Sequence, residues 1–318
     1  MGLRILVTGG AGFIGSHVAE RLLAAGHEVA VLDNLSSGKR NQVPAEAAFF
    51  ELDLTTDIAP AFERFRPEAI AHLAAQVSVS VSIRNPALDA RVNILGSIQL
   101  LEAAREHGVR KFLYASSAAV YGPLDTLPLD EEMRCRPISC YGASKYAFEH
   151  YLRTAASEWG LEWAALRYAN VFGPRQDPDG EAGVVAIFAR QVLEGRMPTI
   201  FGDGELTRDY VYVDDVAAAN VSALQADLQD HPDPVFNVST GTETTTNRIY
   251  ELIRSAARSS IEAVYGPDRA GDVRHSVLDS TRFRDLTGWK PRVSLEDGIR
   301  RTVDFFKKRA SASRARLK

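Results

Sequence analysis

The sequence predicts an α/β fold, a doubly wound parallel sheet carrying a second, smaller α/β substrate-binding domain. Short aliphatic runs alternate with helix-period segments through the first half of the chain, which requires crossover units and helices on both faces of a sheet. A glycine cluster separates the first run from the first helix. After about Arg167 the alternation weakens, and loops rich in Gly, Pro and Asp (GPRQDPDGEAG, FGDGE) interrupt shorter elements, so the companion domain is expected there.

Residues 4–8 are aliphatic and β-branched, fit for a buried strand, and the glycines after them open a helix with Val18, Leu22 and Leu23 on one face, closed by Gly26. Residues 28–32 read as a second strand ending at Asp33, followed by a polar loop over 34–41 and a third short run over 48–52. Further strands are expected over 69–74, 111–116 and 163–168, and helices over 86–107 and 141–160. The stretch 300–318 carries eight basic residues against Asp304 alone and reads as a solvated helix end with a frayed tail.

Composition narrows the function classes. With 45% hydrophobic and 25% charged residues the chain matches a water-soluble globular protein and excludes disordered, collagenous and membrane classes. A net charge of -4 gives no global field for a nucleic-acid backbone, so no nucleic-acid partner is expected. No apolar run approaches the ~20 residues that span a bilayer. Cys135 and Cys140, in CRPISC, match neither a zinc site nor a disulfide framework; they read as plain thiols of a cytoplasmic protein, and no metal is expected.

In TGGAGFIG, Gly10, Gly12 and Gly15 follow the GxGxxG order directly after a strand and at the start of a helix. Such a turn lets the backbone approach a pyrophosphate, and the N–H groups of the new helix attract its charge. Asp33, 18 residues beyond Gly15 at the end of the second strand, suits the ribose hydroxyls of NAD and would repel a 2′-phosphate. NAD is therefore expected over NADP, with Lys39 and Arg40 nearby as the feature favouring the opposite choice. These are the marks of a Rossmann nucleotide-binding domain, expected over 1–169 with a returning segment around 208–240, interleaved with the smaller domain over 170–318. Asp53, in ELDL, is placed to meet the adenine and reads equally as a solvated loop acid. His72, in AIAHLAA, reads as a core histidine and receives no chemical role.

Tyr141 and Lys145, in YGASK, stand at i and i+4 near the start of a predicted helix, on one face. A phenol titrates near pH 10, so action as a base near pH 7 requires a shift of ~3 units, about 4 kcal/mol. An ammonium one turn away, beside a positive nicotinamide, has the sign to supply it. The pair Ser116 and Ser117 at the end of the preceding strand offers a hydroxyl to share the proton.

The segments TGGAGFIGSH, LDNLSSGKR, SSAAVYG, YGASK, LRYANVFGP and TRDYVYVDD resemble the UDP-glucose 4-epimerase family over nearly the whole chain. The resemblance implies Ser117 and Tyr141 around the sugar hydroxyl, with Lys145 holding the nicotinamide ribose and tuning Tyr141. It implies NAD contacts at Gly9, Gly12, Phe13, Ile14, Asp33, Asn34, Ser37, Gly38, Asp53, Leu54, Leu73, Ala74, Ala75, Asn93, Ser116, Tyr141, Lys145 and Tyr168. For the UDP-sugar it implies Asn170, Thr199, Phe201, Arg208, Arg269 and Asp272, where two arginines suit a pyrophosphate. It further implies a homodimer built on two helices from each subunit.

Ala118 and Ala119 stand where dehydrating relatives carry acids, which argues for simple oxidation and re-reduction at C4 through a 4-keto sugar. Ser276, in GDVRHSVLD, falls where some family members carry a tyrosine beside the hexose C2 substituent; its small side chain leaves room for UDP-GlcNAc and UDP-GalNAc beside UDP-glucose and UDP-galactose. UDP-glucuronate is an alternative substrate. A non-catalytic NAD-binding regulator is the alternative of another class, and the intact Ser117, Tyr141 and Lys145 argue against it.

Overall fold

The computed structural model describes residues 2–179, 183–229, 231–268 and 273–316. The first part of the chain runs β1 (Arg4–Thr8), α1 (Phe13–Ala24), β2 (Glu28–Asp33), β3 (Ala48–Glu51), α2 (Ala59–Phe65), β4 (Ala69–His72), α3 (Val79–Arg84) and α4 (Pro86–Ala90). A π-helical turn (Arg91–Gly96) leads into α5 (Ser97–Glu106), β5 (Lys111–Ser117), α6 (Cys140–Trp159) and β6 (Glu162–Tyr168). Next come β7 (Asn170–Phe172), α7 (Val184–Leu193), β8 (Thr199–Phe201), β9 (Thr207–Tyr212), α8 (Val213–Gln225) and β10 (Val235–Val238). The chain closes with β11 (Glu243–Thr245), α9 (Thr246–Ala257), β12 (Val264–Gly266), α10 (Thr281–Thr287) and α11 (Leu295–Arg316).

Seven strands form one parallel sheet in the order β10-β6-β5-β4-β1-β2-β3. Its inner strands are buried on both faces, which is why they read as continuous apolar runs instead of alternating ones. On one face Val18 and Leu22 of α1 pack with Val216, Ala219 and Ala223 of α8; on the other, Phe62, Leu100, Phe148 and Leu152 cover the sheet. Strand order reverses between β1 and β4, and a crevice at the carboxyl edge of such a reversal is where ligands of this architecture sit.

A third core, with Phe172, Phe188, Ile200, Ile249 and Ile253, belongs to the smaller part of the chain. There β11, β9 and β7 form a three-stranded sheet, and β12 pairs with β8. The chain crosses back to the large sheet through α8 and β10 before returning to this smaller part.

Two local expectations are revised. The single helix expected over 86–107 is segmented, with the π-helical turn between α4 and α5. Gly96 sits there so close to Leu54 that an added Cβ would lie 3.2 Å from the Leu54 Cβ, and Ser97 Oγ caps the Asn93 carbonyl at 2.8 Å. A one-residue bulge of this kind re-aims the side chains around it, here Asp89 just before the turn and Asn93 within it, which are both buried. The basic C-terminal stretch is solvated on one side only: Thr302, Val303 and Phe306 of α11 are buried, while Arg300, Arg301, Lys308 and Arg309 are exposed.

Candidate active site

The turn after β1 is held by backbone geometry that only glycine tolerates. Gly9 has φ +70°, and a Cβ there would lie 2.6 Å from the Ala74 nitrogen; a Cβ on Gly15 would lie 2.1 Å from the Gly9 carbonyl oxygen. The left-handed residue is thus Gly9, one position before the GxGxxG trio. Gly12 occupies the N-cap of α1 and brings no side chain to the first-turn N–H groups of Phe13 and Ile14, which face the crevice with the positive end of the helix dipole.

Asp33 ends β2 with its carboxylate fixed, accepting from the Ala11 N–H at 3.0 Å and the Leu35 N–H at 2.8 Å. Leu35 pays for this with φ 58°, a left-handed conformation in a non-glycine residue. Gly38 packs on the same carboxylate: an added Cβ would stand 2.9 Å from Asp33 Oδ1. Asp53 accepts from Asn34 Nδ2 at 2.7 Å and from Thr55 N and Oγ1 at 2.8 and 2.7 Å. The Thr55 hydrogen bonds hold its carboxyl below the usual range, so Asp53 and Asn34 form one oriented unit at the loop mouth. Ser37 lies in the same loop, and Leu73, Ala74 and Ala75 follow β4, with Ala74 N–H reaching Thr8 Oγ1 at 3.3 Å. These groups fit a dinucleotide: a backbone cradle for its pyrophosphate and a fixed carboxylate at the end of β2 for ribose hydroxyls.

The chemistry-bearing residues come from the end of β5 and the start of α6. Ser139 caps α6, its hydroxyl accepting from the Gly142 N–H, which puts Tyr141 and Lys145 in the first turns. The Tyr141 phenol is half-buried and hydrogen-bonded to Ser117; burial pushes its pKa up and the Ser117 bond opposes that. Lys145 is buried, with Nζ donating to the Ala115 carbonyl at 2.9 Å and lying 5.8 Å from the Tyr141 ring centroid. Desolvation brings Lys145 down to about 8, against the charge of Asp89, which acts to raise it.

Strand alternation separates the two serines. Ser117 faces Tyr141, whereas Ser116 points to the other side of β5 and donates to Glu149 Oε1 at 2.6 Å. Glu149 is bound by Arg167 Nε at 3.0 Å and Nη2 at 2.7 Å, and Arg167 Nη1 reaches Tyr121 Oη at 3.0 Å, all buried. The Ser116 hydroxyl is spent on this network. The Tyr168 phenol lies against α8 and accepts from Asn220 Nδ2 at 2.8 Å. Leu54 is a buried core residue of the face that holds α2. His72 behaves as a core residue, with Nδ1 2.7 Å from Thr8 Oγ1 and Nε2 2.8 Å from Ser97 Oγ, and burial pulls it down to about 3.

On the smaller side, Asn170 is exposed at the start of β7, Thr199 and Phe201 lie half-buried on β8, and Arg208 stands on β9 with Nη1 donating to the Thr207 carbonyl at 2.7 Å. Ser276 is half-buried next to Val277, whose carbonyl accepts from the Leu129 N–H at 2.8 Å. Arg269 and Asp272 lie outside the described residues. No cluster of metal-ligating side chains occurs among the described residues.

Asp89, Gln76 and Ser144 were not singled out by the motifs, yet they surround Asn93. Asn93 Oδ1 accepts from the Gln76 N–H at 2.8 Å, and its Nδ2 lies 3.1 Å from both Asp89 Oδ1 and Ser144 Oγ. Buried polar residues one turn apart, Asp89 and Asn93, inside an otherwise amphipathic segment were the available signal.

Comparison with known proteins agrees with this geometry. The model of the NAD dependent epimerase/dehydratase family matches residues 5–239. A UDP-glucose 4-epimerase from Mycolicibacterium smegmatis is 46% identical, over 97% of this chain and 100% of that protein. The crystal structure of a Thermotoga maritima UDP-glucose 4-epimerase with UDP-glucose is 48% identical at TM-score 0.93, covering 97% of this chain and 100% of that one. A Thermus thermophilus UDP-glucose 4-epimerase in complex with NAD is 48% identical at TM-score 0.90, covering 96% of this chain and 99% of that one. With the motif resemblance, the fold and the family match in accord, the chain belongs to the NAD-dependent epimerase/dehydratase family.

Proposed function

We propose that this protein is an NAD-dependent UDP-glucose 4-epimerase that interconverts UDP-glucose and UDP-galactose through a transient 4-keto sugar. The observation that carries the reading is the joining of Ser117, Tyr141 and Lys145 beside a glycine turn and a fixed Asp33 carboxylate. Relatives at 46–48% identity over nearly the full chain carry that name, one solved with UDP-glucose and one with NAD.

In this reading the bound NAD supplies a hydride acceptor and returns the hydride, so the reaction is redox-neutral overall. Tyr141 takes the proton from the C4 hydroxyl and gives it back, with Ser117 hydrogen-bonding the same oxygen and sharing the proton. Burial alone holds the phenol too basic for this, so Lys145 must stay charged to bring it down. Asp33 and the first turn of α1 hold the dinucleotide, with Asn34, Ser37, Gly38 and Asp53 around its adenosine half. Arg208, with Arg269, anchors the UDP pyrophosphate while the hexose turns over, and Asn170, Thr199, Phe201 and Asp272 complete that anchor. Ala118 and Ala119 offer no acid for elimination, which favours epimerisation over dehydration.

Incubation with a panel of UDP-sugars without added NAD tests this. Equilibration of UDP-glucose with UDP-galactose, without net reduction of nucleotide, is expected; stoichiometric NAD consumption or no turnover overturns it. Ser276 supports acceptance of N-acetylated hexoses, and failure to turn over UDP-GlcNAc removes that extension. A homodimer is supported by the apolar side chains that α3, α4, the π-helical turn and α6 leave exposed, among them Ile83, Leu88, Leu95 and Tyr151. Sedimentation at micromolar concentration should give twice the 34.8 kDa chain mass. The free thiols Cys135 and Cys140 support a reducing, cytoplasmic setting.

A further inference from the structure

Asp89 is a carboxylate sealed against the catalytic helix. It is 1% exposed and lies on α4 one turn before Asn93. Its Oδ1 accepts from Gln76 Nε2 at 2.8 Å and from Asn93 Nδ2 at 3.1 Å. The Asn93 amide also lies 3.1 Å from Ser144 Oγ, and that hydroxyl donates to the Tyr141 carbonyl at 3.0 Å. A hydrogen-bonded path therefore runs from Asp89 to the turn of α6 that carries Tyr141 and Lys145. Burying a charge this completely is costly unless another charge or a set of donors answers it. Gln76 and Asn93 supply the donors, and the cation in reach of its field is Lys145.

Titratable groups from three elements face this pair. From α6 come Lys145, Tyr141 and Glu149, the last neutralised by its ion pair with Arg167. From β5 comes Tyr114, whose ring centroid is 4.9 Å from Lys145 Nζ and whose phenol burial keeps protonated. From β4 comes His72, held neutral by burial and by Lys145. The Asp89 charge acts to raise both Lys145 and Tyr141.

We propose that Asp89 is a positioning residue for the reaction, an anion fixed by Gln76 and Asn93 that keeps Lys145 protonated beside a cationic nicotinamide and so sets the pH range in which Tyr141 exchanges its proton. This rests on the assignment of Tyr141 and Lys145 made above. Asp89→Asn is the informative change, because it keeps the Oδ1 acceptor for both donors and removes only the charge. Without the anion both groups become more acidic. The acid limb of the kcat/KM profile, which needs Tyr141 deprotonated, and the alkaline limb, which needs Lys145 protonated, should both move to lower pH by about one unit, the order that removing a neighbouring unit charge produces at an effective dielectric near 20.

Near-ultraviolet titration of the Tyr141 phenolate, read as the difference between proteins with and without Tyr141→Phe, should move the same way. That titration needs no turnover, so it judges Asp89 even if the UDP-sugar reading fails. Asp89→Ser, which also removes the charge, replaces Asp89→Asn if that variant does not fold. A variant that is less stable or slower at every pH, with profile and titration unmoved, overturns the proposal and leaves Asp89 a structural residue.

Discussion

Glu149→Gln should destabilise the protein without touching any ligand contact. The Glu149 and Arg167 side chains are 0% and 2% exposed, joined through two N–H···O contacts of 3.0 and 2.7 Å, with Ser116 Oγ adding a third bond to the carboxylate at 2.6 Å. The amide is close to isosteric, so packing is nearly unchanged. What is lost is the negative charge, leaving a guanidinium buried among β5, β6 and α6 without compensation. Breaking such a pair from one side costs ~3–5 kcal/mol. At roughly 2–4 °C per kcal/mol for chains of this class, the melting temperature should fall by on the order of 10 °C. Differential scanning calorimetry on the NAD-loaded protein reads this directly. The reasoning makes a second demand. Removing both charges with Glu149→Met and Arg167→Met should recover part of the loss, because replacing a whole buried pair by apolar groups is often near neutral. A single variant that melts within ~2 °C of the parent refutes the argument. So does a double variant as damaged as the sum of the singles.

Tyr141→Phe should lower kcat by at least ~100-fold, the usual contribution of a positioned general base, with copurified NAD retained; full activity would remove Tyr141 from the chemistry. Arg208→Met should raise KM for the UDP-sugar about tenfold or more with a smaller change in kcat, checked by initial rates, since an anchor binds ground and transition states alike. His72 has its folded pKa depressed to about 3, so the unfolded chain binds the extra proton; the stability this contributes is present above ~6.5 and is lost as pH falls from there toward 3. Urea titrations of the parent and of His72→Gln should show a shallower loss below pH ~6.5 in the variant, and identical slopes would refute it.

Much of the first half of the fold was legible because its signals are local. The runs at β1, β2, β5 and β6 are apolar on both faces, as parallel strands must be, and Gly160 marks the end of α6. The break inside 86–107 leaves no mark in the pattern, because a π-helical turn keeps the helical period on either side of it. The smaller part of the chain was legible only as a change of texture, since its strands are three to six residues long and find partners far away in sequence.

At the candidate site the residues divide by the range of the forces that place them. The glycine turn, the acid ending β2 and the Tyr141 and Lys145 pair were determined by the sequence itself, because strand period, helix period and the missing Cβ of glycine act within a few residues. Only the tertiary structure decided that Ser117 and not Ser116 meets Tyr141, that Tyr168 turns to Asn220, and that Asp89 reaches the catalytic turn of α6 through Asn93 and Ser144. Those pairings join residues up to 52 positions apart. They follow from how the packed helices and strands stack, which is a property of the whole core and of no local pattern.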